Sequence, residues 1–313
     1  MTGILFRGII GIRNVKQEVE DVTQTEARKM IREYYRISLP NEEDDFRYTE
    51  ALAFLIDSTK DPRAMTELGG WYYEKRHFDL ALKYYEMAAE YKDTGAYACL
   101  GYIWYYGRTG EKDYEKAFRY YSLAAAAGDD EAAYKVADMY KNGYFVEKDT
   151  EKYKTMIGDL YEKVKDRTDL YAPVPQIFMR LARIRTEEGE TKEAVRLYLY
   201  AKDFLAQRLR INPFFGDLNN MKWLVEELYK LIEFDVERFD FYDLYYLLDR
   251  PCTVGFVYGG KAYTVECAEE NGESAVCFDG KWYRTKDDFF RKAGIGDYPL
   301  TELYAELYSF EVK

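Results

Sequence analysis

A self-match at one fixed spacing constrains this chain more than any other feature. When residues 93–128 are laid over residues 129–163, Leu100 falls on Val136, Gly101 on Ala137, Trp104 on Tyr140, Gly107 on Gly143, Asp113 on Asp149 and Lys116 on Lys152, all at an offset of thirty-six residues. A period of that length describes a helix pair whose apolar face is buried only when another copy stacks on it. A unit with a loop four residues shorter precedes it. There Leu68, Gly69 and Tyr72 form the packing stripe of a first helix, and Ala81, Tyr84, Tyr85, Ala88 and Ala89 that of a second. A fourth unit, residues 175–205, aligns with this one at a constant offset of 113, placing Leu181 on Leu68, Ala182 on Gly69, Ala194 on Ala81, Tyr198 on Tyr85 and Ala201 on Ala88.

Both flanks depart from the period. Apolar residues from Thr23 to Ser38 recur at helical spacing, the stretch NEEDD at 41–45 reads as a solvated turn, and a second helix is expected near Phe46 to Ile56. This pair serves as an atypical first repeat or cap. Asp61 followed by Pro62 is a helix start, since proline at the first helical position forfeits no hydrogen bond. Helices near Leu218–Phe234 and Phe241–Leu248 follow the fourth unit as a C-terminal cap. Beyond Pro251 the period shortens to two. Strands are expected at Thr253–Val257, Lys261–Glu266, Ser274–Phe278 and Lys281–Arg284, separated by Gly259-Gly260, Asn271-Gly272 and Asp279-Gly280 turns. Thr285, with Asp288 three residues on, opens a helix through Ala293, and Pro299 opens another through about Tyr308. The expected fold is mainly α: a right-handed α-solenoid of helix-pair repeats with a small C-terminal α+β domain of antiparallel sheet plus two helices. Its expected divisions are an N-terminal segment and cap at 1–60, repeats with capping helices at 61–249, and the small domain at 250–313.

In order along the second unit stand Ala96, Leu100, Gly101, Gly107, Gly110, Asp113, Lys116, Ala117, Tyr120, Tyr121, Ala124, Ala125 and Gly128. This string resembles the SEL-one-like repeat, a member of the tetratricopeptide superfamily. The third unit keeps Gly143, Asp149 and Lys152 but has Tyr153 where the repeat alanine belongs, and it lacks the Tyr-Tyr and Ala-Ala pairs. The resemblance covers about Asp61 to Leu205. The tail, through YGGKAYTVE and DGKWYRTKDDFF, resembles small hairpin-plus-helix modules of uncharacterised bacterial proteins. The resemblance to the repeat family implies scaffolding, the assembly or regulation of other proteins rather than catalysis.

Charge narrows the partners. With 45 basic against 57 acidic residues and a net charge of -12, the chain lacks the cationic surface that nucleic acid or anionic membrane requires. Residues 178–210 carry eight Lys/Arg against five Asp/Glu, whereas 211–313 carry eleven against twenty. The apolar run Gly3–Ile12 holds Arg7 at its middle and reads as a disordered or docked terminus, not a signal peptide. Four cysteines without CxxC spacing fit a reduced, cytoplasmic setting; Cys267 and Cys277 could face each other across a hairpin, but that setting disfavours a bond. His77, the only histidine, falls in an interhelix turn as a solvated residue, which excludes histidine triads and multi-histidine metal sites within the chain. The stretch GRTGEK at 107–112 lacks the spacing of a phosphate loop and the strand before it, and NEEDD lacks the alternating ligands and glycine of a calcium loop. No cofactor, metal or catalytic residue is expected.

The candidate site follows from helix geometry. At roughly 100° per residue, the face opposite each first-helix packing stripe carries Arg63, Thr66, Gly70, Tyr73 and Glu74 in the first unit. The same construction gives Ala98, Tyr102, Tyr105 and Tyr106 in the second, Tyr134, Asp138, Lys141 and Asn142 in the third, and Met179, Arg183, Thr186 and Glu187 in the fourth. A stacked array leaves this face lining a groove, for which Arg63, Tyr73, Tyr102, Tyr105, Tyr106, Tyr134, Asp138, Lys141 and Arg183 are the expected partner-binding residues. Tyr and Arg dominate interface hot spots, although aromatics at helical spacing also serve as core. The expected function is a bacterial, cytoplasmic, non-enzymatic scaffold or adaptor that binds a peptide or helix of another protein in this groove, without membrane or direct nucleic-acid contact. The alternative is an immunity- or antitoxin-like inhibitor that presents the acidic tail to a basic surface as a nucleic-acid mimic. A third reading has the tail mask the groove by docking near Arg180, Arg183 and Arg185.

Overall fold

A computed structural model describes residues 23–37, 39–170, 172–212, 214–232, 240–270 and 273–312. The run Gly3–Ile12 and the Asn271-Gly272 turn lie outside them. The chain divides after Asp149 into two compact units.

The first unit is helical: α1 (Gln24–Tyr34), α2 (Glu42–Thr59), α3 (Pro62–Glu74), α4 (Phe78–Glu90), α5 (Thr94–Tyr106), α6 (Tyr114–Ala126) and α7 (Asp130–Asn142). Each helix packs on the next, and the first helices of successive pairs also touch, α3 on α5 and α5 on α7. Aspartates punctuate the array. Asp61, Asp93, Asp113 and Asp129 each accept a backbone N–H of the following first turn, an arrangement that satisfies donors the helix cannot pair itself. Gly107 (φ 64°) and Gly143 (φ 70°) end α5 and α7 in the left-handed conformation that glycine adopts without strain, as the repeated loop glycines imply.

The helix pairs close around a glycine–tyrosine contact. A Cβ on Gly69 would lie 2.6 Å from Cε1 of Tyr85, and one on Gly101 would lie 2.5 Å from Cδ1 of Tyr121. Each tyrosine therefore lies flat against the backbone of the partner helix and is buried, as are Ala81, Ala88, Ala117 and Ala124 beside it. Small residues recur at fixed positions because a large ring fills the space they leave.

The acidic stretch at 41–45 differs from its expected role as a turn. Asn41 caps α2, accepting from the N–H groups of Glu43 (2.8 Å) and Asp44 (3.0 Å), while the Asp44 carboxylate accepts from the Asn41 N–H at 3.0 Å. Four carboxylates then occupy the first turn, where the positive end of the helix dipole favours them. The helix consequently starts four residues earlier than the apolar spacing alone indicates. Asp45 ties three helices together, accepting from Tyr34 Oη (2.6 Å), Trp71 Nε1 (3.4 Å) and Lys75 Nζ (2.6 Å).

The second unit begins with α8 (Thr150–Val164), α9 (Val174–Glu187), α10 (Thr191–Ile211) and α11 (Phe215–Leu228). Tyr153, at the repeat alanine position, is fully buried. The expected helix near Phe241–Leu248 is a 3-10 turn, Phe241–Asp243, running into a short α12 (Leu244–Leu247). This segment is anchored by charge: Lys202 of α10 is buried, its Nζ 2.6 Å from Asp243 and 2.9 Å from Asp240.

The tail comprises β1 (Cys252–Tyr258), β2 (Lys261–Glu270), β3 (Glu273–Phe278), β4 (Lys281–Tyr283), α13 (Lys286–Lys292), β5 (Gly294–Ile295), β6 (Tyr298–Pro299), α14 (Leu300–Leu303), a 3-10 turn (Tyr304–Glu306) and β7 (Tyr308–Val312). Its main sheet is antiparallel in the order β4-β3-β2-β1-β7. Positive φ at Gly259, Gly260, Asp279 and Gly280 gives two tight hairpins where the sequence places them. Phe289 of α13 covers one face, 6.1 Å from Phe278 and 5.7 Å from Tyr283 between ring centroids.

Two expectations for the tail are corrected. The helix expected from Pro299 to Tyr308 gives way to a fifth strand at Tyr308, because the far edge of β1 pairs with β7 at Val254↔Val312 and Gly255↔Glu311. Cys277 lies opposite Glu266 and Cys267 opposite Val276, so the two cysteines occupy different faces of the sheet. None of the four cysteines forms a disulfide.

Three stability measurements test this packing. By chemical denaturation, Gly101→Ala is expected to lose about 1–3 kcal/mol through overpacking against Tyr121. At Gly70 the nearest atom to a new Cβ is 3.8 Å away, so Gly70→Ala is expected to be neutral or to gain up to about 1 kcal/mol of helix propensity. Asp243→Ala, which leaves the buried Lys202 ammonium with only the more exposed Asp240, is expected to lose up to about 3 kcal/mol.

Candidate functional site

On the face of α3, α5 and α7 opposite their packing stripes, the first unit gathers tyrosines. Tyr73 meets Phe78 at 5.2 Å and Tyr102 at 5.9 Å between ring centroids; Tyr102 meets Tyr106 at 4.5 Å, and Tyr106 meets Tyr105 at 4.9 Å. From Tyr105 the contacts continue to Tyr114 (5.6 Å) and Tyr144 (6.0 Å), which stack on each other at 4.4 Å. The regular helix spacing brings these rings together, since Tyr102 and Tyr106 are one turn apart and α3, α5 and α7 stack side by side. Tyr73, Tyr102 and Tyr105 are half-buried, and Tyr106 is 38% exposed.

Two cations lie on this aromatic surface. The Arg108 guanidinium sits 5.4 Å from the Tyr102 centroid and 5.5 Å from that of Tyr106, and its Nη2 donates to Tyr102 Oη at 3.0 Å. The Lys135 ammonium lies 5.7, 5.3 and 5.5 Å from the rings of Tyr105, Tyr106 and Tyr134, and donates to Tyr106 Oη at 2.9 Å. Each cation–ring contact contributes about 0.5–1 kcal/mol at an exposed site. Burial, then the nearby Tyr102 phenol, pushes Tyr73 up to about 12. Tyr105 is held well above the usual phenol range by burial, then by Asp138, Tyr106, Tyr144 and Tyr114.

The structure brings Tyr73, Tyr102, Tyr105 and Tyr106 together. Asp138 is half-buried beside Tyr105, Lys141 is half-buried on α7, and Arg63 is exposed near the start of α3. Tyr134 departs from its expected place on the open face. It is 4% exposed, covered by the Lys135 side chain, with its hydroxyl donating to Glu131 one turn back at 3.1 Å. Its position falls at the flank of the open arc, where α7 packs on α5. Arg183 belongs to the second unit, where its Nε lies 3.4 Å from Glu187.

Helix-face reasoning missed Arg108, Lys135, Tyr114 and Tyr144. Arg108 and Tyr144 each follow a helix-ending glycine, and a construction confined to helical positions does not reach them. Lys135 lies just outside the arc, and its long stem carries the ammonium onto the rings. Next to this face, Arg76, His77, Phe78, Asp79, Leu80, Arg108 and Thr109 line an open depression of ≈ 320 Å³. His77 is exposed there and makes no side-chain cap to α4.

Comparison with known proteins agrees with the repeat. The Sel1 repeat family model matches residues 62–90, 96–129 and 130–152, so residues 62–152 are similar to a run of Sel1 repeats. Among solved structures, the chain is similar to a Sel1 repeat protein from Oxalobacter formigenes, 20% identical over 65% of this chain and 75% of that one, with a TM-score of 0.49. It is also similar to a tetratricopeptide repeat protein from Parabacteroides merdae (13% identity, 67% and 81% coverage, TM-score 0.40). A third similarity is to pilF of Pseudomonas aeruginosa (14% identity, 75% and 100% coverage, TM-score 0.37). No curated protein matches the chain. Among the described residues, no helix is long and apolar enough to cross a membrane.

The buried phenols and thiol give the repeats an alkaline limit. Burial pushes the Cys99 thiol from 9.0 up to about 11, and Tyr73 rises from 10.0 to about 12. A group with a raised folded pKa contributes stability in full below its unfolded pKa and loses it as pH rises through the folded value. Unfolding free energy from denaturant titrations is therefore expected to hold level from these groups up to about pH 9 and to fall between about pH 9 and 12.

Proposed function

We propose that the tyrosine face of α3, α5 and α7 is a docking surface for a segment of another protein, and that the chain works as an interaction scaffold. The observation that carries this reading is the continuous series of partly exposed rings from Tyr73 through Tyr102 and Tyr106 to Tyr105, with Arg108 and Lys135 laid across it. Tyrosine presents a large area with few rotatable bonds, so it binds at low entropic cost, and ring–ring contacts hold these side chains in place before a partner arrives. The Sel1 repeats supply the stacked helices on which such a surface is built.

The acidic tail offers less free charge than its composition implies. Asp249 and Glu226 lie within ion-pair distance of Lys286, Asp287 of Lys222, Asp288 of Lys292 and Asp217 of Arg208. Arg183 and Arg185 are likewise paired, with Glu187 and with Glu188 and Glu190. Those internal pairs weaken the case for the tail as a nucleic-acid mimic or a mask over the arginines.

Affinity capture from the native cell is expected to lose the specifically retained protein when Tyr102→Ala and Tyr106→Ala are combined. It is expected to keep it with Trp282→Ala, which removes the 58% exposed tryptophan of the tail. Loss with the tail variant alone would overturn the reading, and circular dichroism establishes that both variants remain helical.

A further inference from the structure

One buried donor beneath the tyrosine face has no acceptor. The Tyr121 hydroxyl is buried without a hydrogen-bond partner, and the Tyr121 side chain is 2% exposed. Its ring lies against the backbone of α5 at Gly101, where a Cβ would meet it at 2.5 Å. An orphaned buried hydroxyl costs about 1–3 kcal/mol. In the preceding repeat the equivalent Tyr85 hydroxyl is not orphaned in this way, and the Cys99 thiol lies beside it. Thirty-six residues after Cys99 stands Lys135, which offers a donor where the first repeat offers an acceptor.

Lys135 is itself unusual. Glu131 lies one turn before it, at the spacing that favours an ion pair, yet Lys135 reaches instead to Tyr106 Oη and the three rings. Glu131 is engaged by the Tyr134 hydroxyl. Among the described residues neither Lys135 nor Arg108 forms a salt bridge, whereas Arg28, Lys75 and Lys116 of the same unit each pair with a carboxylate. The Tyr121 ring lies 6.2 Å from that of Tyr105 between centroids, and Tyr105 is one of the three rings around the Lys135 ammonium.

A hydroxyl without an acceptor and an ammonium without a counter-ion, both beside the Tyr105 ring, call for one kind of group. We infer that this face receives an acidic side chain of the partner segment, whose carboxylate accepts from the Tyr121 hydroxyl and pairs with Lys135. The inference rests on the docking reading above. Entry requires the Tyr106 and Lys135 side chains to swing aside, which gives up the hydrogen bond between them and part of their ring contacts. In return the carboxylate offers Lys135 a full counter-charge in place of a neutral phenol and gives the Tyr121 hydroxyl a charged acceptor, and ion-paired hydrogen bonds are the stronger kind.

The test uses a phage-displayed library of random twelve-residue peptides selected on the intact chain, with affinities measured by fluorescence polarisation. Enriched peptides are expected to share an Asp or Glu. Tyr121→Phe, which deletes only the hydroxyl, is expected to weaken them about tenfold or more while leaving stability equal or higher. Changing the shared acid to its amide is expected to weaken binding to the unaltered chain similarly and to abolish the effect of Tyr121→Phe, as a coupled pair requires. Equal binding by Tyr121→Phe and the unaltered chain, or enrichment of peptides without an acid, overturns the inference. If such peptides still depend on Tyr102 and Tyr106, the docking reading survives alone. If they bind equally after Tyr102→Ala and Tyr106→Ala, the docking reading falls as well, and if no peptide is enriched, both fall.

Discussion

A tyrosine ring pressed against a glycine backbone sets the geometry of the first unit. With Tyr85 on Gly69 and Tyr121 on Gly101, the two helices of a pair approach closely enough for the small residues Ala81, Ala88, Ala117 and Ala124 to be fully buried between them. That approach leaves the opposite side of α3, α5 and α7 uncovered by the second helices, and the remaining tyrosines meet there. The ring that closes the pair also delivers its hydroxyl toward the open side. In the first repeat the thiol of Cys99 lies beside it, whereas in the second nothing within the described residues accepts it. Packing and the proposed binding thus share one residue type at one repeated position.

The electrostatics divide along the same line. Several charged groups in both units are paired nearby, including the buried Lys202 with Asp243 and Asp240 and the three-way junction at Asp45. Such pairs fix local geometry, since a buried ion without its partner is costly. Arg108 and Lys135 are exceptions, held by aromatic rings and phenol oxygens alone. A cation on a ring keeps much of its capacity to attract an anion, because the ring's quadrupole neutralises little of its charge.

Most of the architecture is legible in the sequence, and the departures have physical reasons. The thirty-six-residue offset, the Asp starts of α3, α5, α6 and α7 and the glycine stops of α5 and α7 mark the repeats, because each residue type does one thing at one position. The stretch at 41–45 misleads because capping by Asn41 adds a turn that carries no apolar residue, so apolar spacing starts the helix too late. The strand at Tyr308–Val312 is obscured by its brevity and by the helix start at Pro299, and only the free edge of β1 decides it. In the candidate site, helical angles correctly group Tyr73, Tyr102, Tyr105 and Tyr106. They fail for Tyr134, which α5 and Lys135 cover, and for Arg108 and Tyr144, which enter from loops. The unsatisfied Tyr121 hydroxyl is invisible to periodicity, since the pattern marks Tyr121 and Tyr85 as the same residue and only their neighbours differ.

Hydroxyl-radical footprinting of the tyrosines, with and without bound partner, tests the central claim most directly. The account predicts that oxidation of Tyr102 and Tyr106 falls on binding while Tyr298, Tyr308 and Trp282 of the tail keep their rates. Protection confined to those tail residues, with Tyr102 and Tyr106 oxidised as before, would contradict it.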